Sequence, residues 1–152
     1  MSDQAQRIEL FARIFRDIGI VQERMDAVAK KRLPNDLPLA QYKLLDHLVY
    51  TLNRNETCAD IARNSHVTKA AMSQIIKRLL EKGFVELREN PTDRRIKALS
   101  ITQSGRAIHQ LAQAAILPAI KPLSQTLSLT ELEQTFNCVH QFRLQFESQT
   151  SV

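Results

Sequence analysis

The sequence has few of the residues that mark metal-binding, disulfide-linked or catalytic proteins. It contains two cysteines, three glycines and no tryptophan among 152 residues. Cys58 and Cys138 are far apart and form no CxxC pair, which argues against a disulfide framework or zinc ribbon and favours the reducing cytoplasm. The four histidines form no HxxxH or His/Cys pattern, so we expect neither a metal nor a cofactor.

Long apolar runs and catalytic motifs are also missing. No run approaches the roughly 20 residues that span a bilayer, and the start carries no signal-peptide pattern, so no membrane role is expected. No Gly-rich phosphate loop, GxSxG motif or paired-carboxylate pattern occurs, which predicts that the chain is not an enzyme. With 43% hydrophobic and 24% charged residues, the composition fits a soluble globular protein, and the length predicts one domain over residues 1–152.

Positive charge is concentrated in the middle of the chain. Between residues 57 and 106, ten Lys and Arg outnumber five Asp and Glu, a surplus equal to the +5 net charge of the whole sequence. A surplus confined to one segment is typical of a surface that binds a polyanion. Charge alone leaves open the alternative of a solvated basic face.

Apolar helices are predicted at both ends. A heptad seam over residues 5–32 is formed by Phe11, Ile14, Ile18, Val21, Met25 and Val28. Ala107 to Ala119 is rich in helix formers, and Pro118 and Pro122 are expected to end or kink that helix. Ser128 and Glu131 form a capping-box pattern before a last apolar stripe. That stripe comprises Leu132, Phe136, Val139, Phe142 and Phe146.

The middle of the chain predicts two helices joined by a short turn. Thr57, with Asp60 three residues later, is a candidate N-cap for a short helix, and Thr68 is the candidate N-cap for a longer one. The longer helix is expected to run to Lys82 and to stop at Gly83. Two such helices, the second more basic, are typical of a helix-turn-helix.

Beyond Gly83 the apolar period changes from 3.6 to 2. Val85 and Leu87 share one face of a predicted strand, and Leu99 and Ile101 share one face of a second. The residues "ENPTD" between them are typical of a turn. The fold class is therefore predicted as mainly α with a small β-hairpin.

The stretch "DIARNSHVTKAAMSQIIKRLLEKGFVELRENPTDRRIKALSITQSG", residues 60–105, resembles the core of MarR-family regulators. The residues that match the family's hairpin pattern are Asp93, Arg94, Arg95, Leu99, Ser100, Ile101, Thr102 and Gly105. The resemblance implies a winged helix-turn-helix, here residues 39–106, flanked by dimerisation helices over residues 5–32 and 107–149. It also implies a homodimeric transcriptional regulator, more often a repressor, bound to a pseudo-palindromic operator. A small anionic or phenolic effector would release it.

Double-stranded DNA would be bound by the longer middle helix and the hairpin. The side chains expected to face inward are Met72, Ile75, Ile76, Leu79 and Leu80. Ser73 and Gln74 are the expected base readers, and a small residue at Ala71 permits close approach. The expected phosphate contacts are Thr68, Lys69, Lys77, Arg78, Arg94 and Lys97. Arg95 would enter the minor groove, with Asp93 as its brace. A solvated amphipathic helix is the alternative.

Two further alternatives stay open. Cys58 lies in the first turn of a helix, where the helix dipole can lower the pKa of a thiol. One alternative is therefore a regulator that responds to oxidation of Cys58. Cys138 is expected to be a packed apolar residue. A winged-helix module that binds protein and not DNA would instead present acids or apolar residues on the outward face of the longer helix.

For dimerisation, the candidate residues are Phe11, Ile14, Ile18, Val21, Leu132, Phe136, Val139 and Phe142.

Overall fold

A computed structural model describes residues 2–51, 55–65, 67–89, 95 and 97–150. Within these residues the elements are α1 (Asp3–Arg32), α2 (Leu39–Tyr50), α3 (Cys58–Asn64), α4 (Lys69–Glu81), β1 (Val85–Glu89), β2 (Lys97–Ile101), α5 (Gln103–Ser124) and α6 (Leu129–Thr150). This order confirms the predicted mainly α fold with one hairpin. No helix in the described part of the chain is long and apolar enough to cross a membrane.

The helix boundaries follow from local capping. The Thr57 hydroxyl accepts the Asp60 backbone N–H (3.1 Å), and the Asp60 carboxylate accepts the Thr57 N–H (3.1 Å), which completes a capping box. The Thr68 hydroxyl accepts the Ala71 N–H at the start of α4. Gly83, at φ +68°, allows the chain to leave α4 in the left-handed region. Each predicted cap is confirmed.

The hairpin is attached to the helix-turn-helix on its β2 side. β1 and β2 pair antiparallel, with Val85 opposite Ile101 and Glu89 opposite Lys97. The Leu99 N–H donates to the Glu56 carbonyl oxygen (3.0 Å), and Thr57 bridges Ala98. Thr57, the N-cap of α3, therefore also contacts β2, so one residue supports both α3 and the hairpin.

The hydrophobic core lies mainly in residues 39–101, with Leu37 before α2 and Ala112 of α5 added to it. Its buried members are Leu37, Leu44, Leu45, Leu48, Ile61, Met72, Ile76, Leu79, Val85, Leu99, Ile101 and Ala112. The ammonium group of Lys82, at the end of α4, donates to the Gln41 amide oxygen (2.9 Å) and to the Asp36 carbonyl oxygen. These contacts hold the end of α4 against the start of α2.

The junction between the hairpin and α5 is closely packed. The Thr102 hydroxyl caps α5 by accepting the Gly105 N–H (3.1 Å) and donates to the Gly83 carbonyl oxygen (2.7 Å). The Ser104 hydroxyl donates to the same carbonyl at 2.7 Å. The chain segment at residues 102–105 therefore joins the end of α4 to the start of α5.

Pro118 and Pro122 were predicted to end or kink their helix, and of these two effects the ending is wrong. α5 continues through Pro118 and Pro122 to Ser124. Each proline removes one backbone donor. Because the two lie four residues apart, the lost hydrogen bonds fall on the same side of the helix, and the bonds on the other side can keep the turns intact.

The chain divides into two compact units, one up to Ile116 and the other from Leu117. The second unit contains the end of α5 and all of α6. The Ser128 hydroxyl accepts the Glu131 N–H (3.3 Å) and the Glu131 carboxylate accepts the Ser128 N–H (2.8 Å), which confirms the predicted capping box. The prediction that Cys138 is packed is wrong: its side chain is exposed, and no described residue of α6 is fully buried.

Candidate nucleic-acid interface

Ser65 ends α3 and Thr68 caps the start of α4, and the turn between the two helices lies between these polar residues. The Ser65 hydroxyl donates to the Ala62 carbonyl oxygen (3.1 Å), which satisfies one of the acceptors that the end of α3 leaves open. Three residues after Ser65, Thr68 adopts an extended backbone and caps the start of α4. Lys69 and Ala70 follow as exposed residues. An exposed helix N-terminus with a lysine in its first turn attracts anions.

The inward face of α4 is narrower than the sequence predicts. Met72, Ile76 and Leu79 are buried and Ile75 is half-buried, as expected. Leu80 was also expected to face inward, and that prediction is wrong because its side chain is 36% exposed. At about 100° per residue, Leu80 lies roughly 80° around the helix from Met72, outside the arc that contacts the core.

The outward face of α4 is polar and continuous. Its exposed residues are Lys69, Ala70, Ala71, Ser73, Gln74, Lys77 and Arg78, with Thr68 exposed at the cap. The Ser73 hydroxyl donates to the Lys69 carbonyl oxygen at 2.9 Å, so its proton is engaged and its oxygen can still accept a hydrogen bond. A helix of 13 residues extends roughly 20 Å, enough to follow a major groove through several base pairs.

One acid reduces the positive charge of this face. The Glu81 carboxylate lies 3.4 Å from the Arg78 guanidinium and 4.0 Å from the Lys77 ammonium group. All three side chains are well exposed, so each pair contributes at most about 1 kcal/mol and either cation can exchange Glu81 for another anion.

The hairpin presents further cations. Arg95 lies in a turn and is exposed, and Lys97 is exposed at the start of β2. Lys97 stands opposite Glu89 in the register, which places opposite charges side by side. Asp93 and Arg94 lie outside the described residues, so the predicted pairing of Asp93 with Arg95 stays a prediction.

A contact that the sequence analysis did not single out connects α2 to the hairpin. His47 Nε2 lies 2.6 Å from the Glu56 carboxylate, and the Glu56 backbone carbonyl accepts the Leu99 N–H. The two residues are nine positions apart and lie on either side of the end of α2, so neither helical nor strand spacing would have predicted the pair.

The helix dipole, which can lower the pKa of a thiol, does not do so for Cys58. Burial among the side chains around the start of α3 raises the pKa of the Cys58 thiol above its ordinary value. A raised pKa leaves less of the reactive thiolate at neutral pH, so burial outweighs the helix dipole here. The redox-responsive alternative loses the chemical basis on which it rested.

The residues predicted to form a dimer interface lie on apolar faces of α1 and α6. On α1, Val21 is 61% exposed and Phe11 and Ile18 are also exposed, while Ile14 is half-buried. On α6, Phe136 is 64% exposed and Val139 is exposed. Leu132 and Phe142 are half-buried. Large apolar side chains that repeat along a helix face at such exposure are typical of association surfaces.

Comparison with known proteins identifies this arrangement. Residues 35–96, which include α2, α3, α4 and β1, match the sequence model of the MarR family. Over this segment, which is less than half of the chain, the sequence is similar to the MarR family. The MarR-family resemblance seen in residues 60–105 is therefore confirmed.

Solved structures of MarR and of a second transcriptional regulator have a similar fold. Wild-type MarR from E. coli without ligand has a TM-score of 0.65 and 24% identity, covering 84% of this chain and 94% of that one. BldR from Sulfolobus solfataricus has a TM-score of 0.63 and 20% identity, covering 93% and 99%. A cysteine-to-serine mutant of MarR from E. coli complexed with operator DNA has a TM-score of 0.61 and 24% identity, covering 93% and 99%. At these identities the likeness establishes the winged helix-turn-helix fold.

Curated relatives carry related names. YdgG of Bacillus subtilis, an uncharacterized HTH-type transcriptional regulator, is 43% identical over 65 residues, or 41% of this chain and 43% of its own length. YdcH of the same organism, with the same description, is 30% identical over 100 residues, 64% and 65% of the two chains. The HTH-type transcriptional regulator BilQ of Clostridioides difficile is 33% identical over 75 residues, 46% and 51%. The chain thus spans less than two thirds of each of these relatives.

Proposed function

We propose that the protein is a sequence-specific DNA-binding transcriptional regulator. The observation that carries this proposal is the outward face of α4, which presents exposed cationic, hydroxyl and amide side chains. In the chain, α4 comes directly after the turn that Thr68 ends and directly before a basic hairpin. The names of YdgG, YdcH and BilQ and the operator complex of MarR support it. A protein-interaction module would need an acidic or apolar outward face instead.

In the proposed complex α4 lies in the major groove. Gln74 reads a base edge, since a glutamine amide can pair bidentately with adenine, and the Ser73 oxygen accepts from a base donor. The small side chain of Ala71 lets the helix backbone approach the bases. Thr68, Lys69, Lys77 and Arg78 contact phosphates, which fix the orientation of the helix without reading sequence.

The hairpin acts as the wing. Arg95 enters the minor groove, where a narrow A·T-rich segment has an enhanced negative potential that attracts a guanidinium. Lys97 contacts a phosphate beside it. Arg94 is proposed as a further phosphate contact and Asp93 as the brace that holds the Arg95 rotamer, both from the family pattern.

We also propose that the working form is a homodimer. The seam on α1 and the apolar face of α6 would be covered in the dimer, and two copies of α4 would meet half-sites about one helical turn apart. Val21→Glu should convert the dimer to a monomer in multi-angle light scattering, because the charge would be buried in the seam. Ala27→Glu, at an exposed α1 position off the seam, is the control.

The proposed action is repression in the cytoplasm, relieved by a small anionic or phenolic effector. An effector can release DNA only if it binds more tightly to a dimer whose recognition helices are wrongly spaced for the operator. Its effect on DNA affinity and the effect of DNA on its own affinity must then be equal.

Fluorescence anisotropy with DNA from the protein's own upstream region tests the DNA proposal. We expect saturable binding that exceeds binding to a scrambled duplex and that weakens steeply as salt rises, because phosphate contacts release counterions. Equal affinity for the scrambled duplex, or affinity insensitive to salt, would overturn the proposal.

A further inference from the structure

A buried histidine of α5 is hydrogen-bonded to an aspartate of α2. The His109 side chain is 2% exposed, and its Nε2 lies 2.8 Å from an Asp46 carboxylate oxygen. Because a carboxylate only accepts hydrogen bonds, Nε2 carries the hydrogen and donates it. The imidazole ring also stacks on Tyr42 of α2, with ring centroids 5.6 Å apart and ring planes 13° apart. The histidine is therefore held against α2 by one directional contact and one stacking contact.

Two points attach the first turns of α5 to the elements before it. The first is the junction at residues 102–105, where side-chain and backbone hydrogen bonds reach the carbonyl oxygens of Gly83 and Phe84. The second is His109, four residues and about one helical turn beyond that junction. A single point of attachment would let α5 pivot about its start. The second point fixes the direction in which α5 leaves the hairpin.

Apolar packing does not fix this direction by itself. Ala112 and Ile116 are the buried positions of α5 beyond His109, and packed aliphatic side chains lose a unique arrangement before they lose stability. A hydrogen bond is directional, and it weakens steeply when its angle departs from linearity. The pair of His109 and Asp46 is therefore the contact that discriminates between neighbouring orientations of α5.

A second polar contact carries the constraint from α2 to α4. Gln41 of α2 is 8% exposed, and its amide oxygen accepts a hydrogen bond from the Lys82 ammonium group at 2.9 Å. Lys82 is the C-cap residue of α4. Because α2 is one continuous helix of 12 residues, the two contacts connect α5 to the end of α4 through α2. At its other end α5 runs on to Ser124, ahead of α6.

We propose that His109 and Asp46 are positioning residues that set the distance between the two copies of α4 in the homodimer. This role rests on the proposed function and on the proposed homodimer, in which α5 leads to the apolar face of α6. A change in the direction of α5 would change the separation of the two recognition helices, and a helix displaced from its half-site loses base contacts. The pair thus selects the operator spacing without touching DNA.

The surroundings of the pair suit it to fix an orientation while contributing little to stability. Asp46 is 38% exposed, so water can solvate its carboxylate when the histidine is replaced, and no unpaired charge is left buried. His109→Leu is therefore expected to keep an unfolding temperature close to that of the wild-type protein while losing the directional contact. His109→Gln should keep that contact, because its amide nitrogen can donate to the same carboxylate.

The distance between the two α4 helices is measured without DNA by pulsed electron paramagnetic resonance. A spin label at Glu81→Cys, an exposed position on α4, is carried by the full chain with Cys58→Ser and Cys138→Ser. We expect one narrow distance distribution for this chain and for its His109→Gln variant. The distribution for His109→Leu should be at least about twofold broader, because several orientations are then populated. Tyr42→Phe keeps the stacked ring and should cause no broadening.

The preference for operator spacing is measured by fluorescence anisotropy. The probes are the upstream duplex that the wild-type protein binds and the same duplex with one or two base pairs inserted at its centre. Insertion should weaken wild-type and His109→Gln binding at least about tenfold, because each added base pair rotates one half-site by roughly 35°. For His109→Leu the loss should be less than about threefold, because its α4 helices are not held at one separation.

Asp46→Ala removes the other partner at a half-exposed position, and it gives the same test if His109→Leu does not fold. It should reproduce the loss of spacing preference. The double variant should be no worse than either single one, because both substitutions remove the same contact.

A distribution for His109→Leu as narrow as that of the wild-type protein, or one for His109→Gln as broad as that of His109→Leu, would overturn the role of the pair. A chain that gives no distance between labels, as a monomer would, also overturns it. A protein that shows the expected broadening but binds no upstream DNA contradicts the proposed function and leaves the pair's role standing. A protein that binds the DNA with the same spacing preference in every variant does the reverse.

Discussion

A methyl group at Gly105 would collide with the backbone carbonyl of Phe84: an ideal Cβ there lies 2.0 Å from the carbonyl oxygen. That oxygen also accepts the Thr102 N–H at 3.0 Å, so it cannot move without breaking the junction between the hairpin and α5. Glycine is required at position 105 because the backbone of Phe84 approaches it closely, and Thr102, three residues earlier, caps α5. This contact explains why the hairpin ends in Thr-x-x-Gly.

Gly105→Ala should therefore lower the free energy of unfolding by about 1–3 kcal/mol, the usual cost of forcing a group into a packed site. Urea denaturation measures it. Gly19→Ala is the matched control, because a Cβ at Gly19 meets nothing within 4 Å and alanine is the better helix former by about 0.5–1 kcal/mol. A Gly105→Ala variant as stable as the wild-type protein would contradict the contact.

Glu81→Gln should strengthen DNA binding. The substitution removes an acid that pairs with Lys77 and Arg78 on the proposed phosphate-binding face and leaves the helix intact. We expect the dissociation constant for operator DNA to fall by about two- to fivefold at low salt, with a smaller gain at high salt. Glu133→Gln on α6 is the control for net charge alone. Equal gains from both variants would mean that Glu81 has no local effect.

Arg95→Ala should weaken specific DNA binding by at least about 1 kcal/mol, because a guanidinium in the minor groove would be lost. The dimer should be unaffected in light scattering. Arg106→Ala, at an exposed position outside the hairpin, controls for the loss of one positive charge. Fluorescence anisotropy with specific and scrambled duplexes separates loss of the minor-groove contact from loss of one charge. An unchanged affinity of the Arg95→Ala variant for the specific duplex would refute the minor-groove role.

Asp60→Asn should make α3 less stable in a pH-dependent way. Hydrogen bonds from the Thr57 hydroxyl and backbone N–H hold the pKa of the Asp60 carboxyl below its usual value of 3.8. A lowered folded-state pKa means that the contribution is fully present above 3.8 and is lost as pH falls through the folded-state pKa. We expect a loss of about 1 kcal/mol at neutral pH, typical of a cap.

Urea denaturation of the wild-type and Asp60→Asn proteins from neutral pH to about pH 3 measures this difference in stability. The gap between them should narrow as the pH falls below 3.8, because protonation removes the same carboxylate from the wild-type protein. Asp17→Asn, at an exposed position on α1, should show no such gap. A gap that stays constant with pH would contradict the capping role of the carboxylate.

Much of the fold could be predicted because its signals are local. Thr57, Thr68, Thr102 and Ser128 each cap a helix through a hydrogen bond to a residue three positions away, so the sequence pattern and the contact coincide. The alternation in β1 and β2 and the glycine after α4 are equally local. The placement of the polar face of α4 follows from the helical period alone.

Other features were decided by tertiary structure. The raised pKa of Cys58 comes from burial by neighbouring elements, which overrides the helix-terminal signal. Leu80 is exposed because the core covers only part of the apolar arc of α4. The contact of His47 with Glu56, and a cavity between α2 and α4, depend on packing between elements.

The sequence by itself thus determined the order of the elements, their caps and the outward residues of α4, because hydrogen bonds and periodicity act over a few residues. Only the tertiary structure decided which apolar side chains are buried, that burial raises the pKa of the Cys58 thiol, and where a cavity remains. Those outcomes depend on how closely separate helices pack, and no short stretch of sequence encodes that distance.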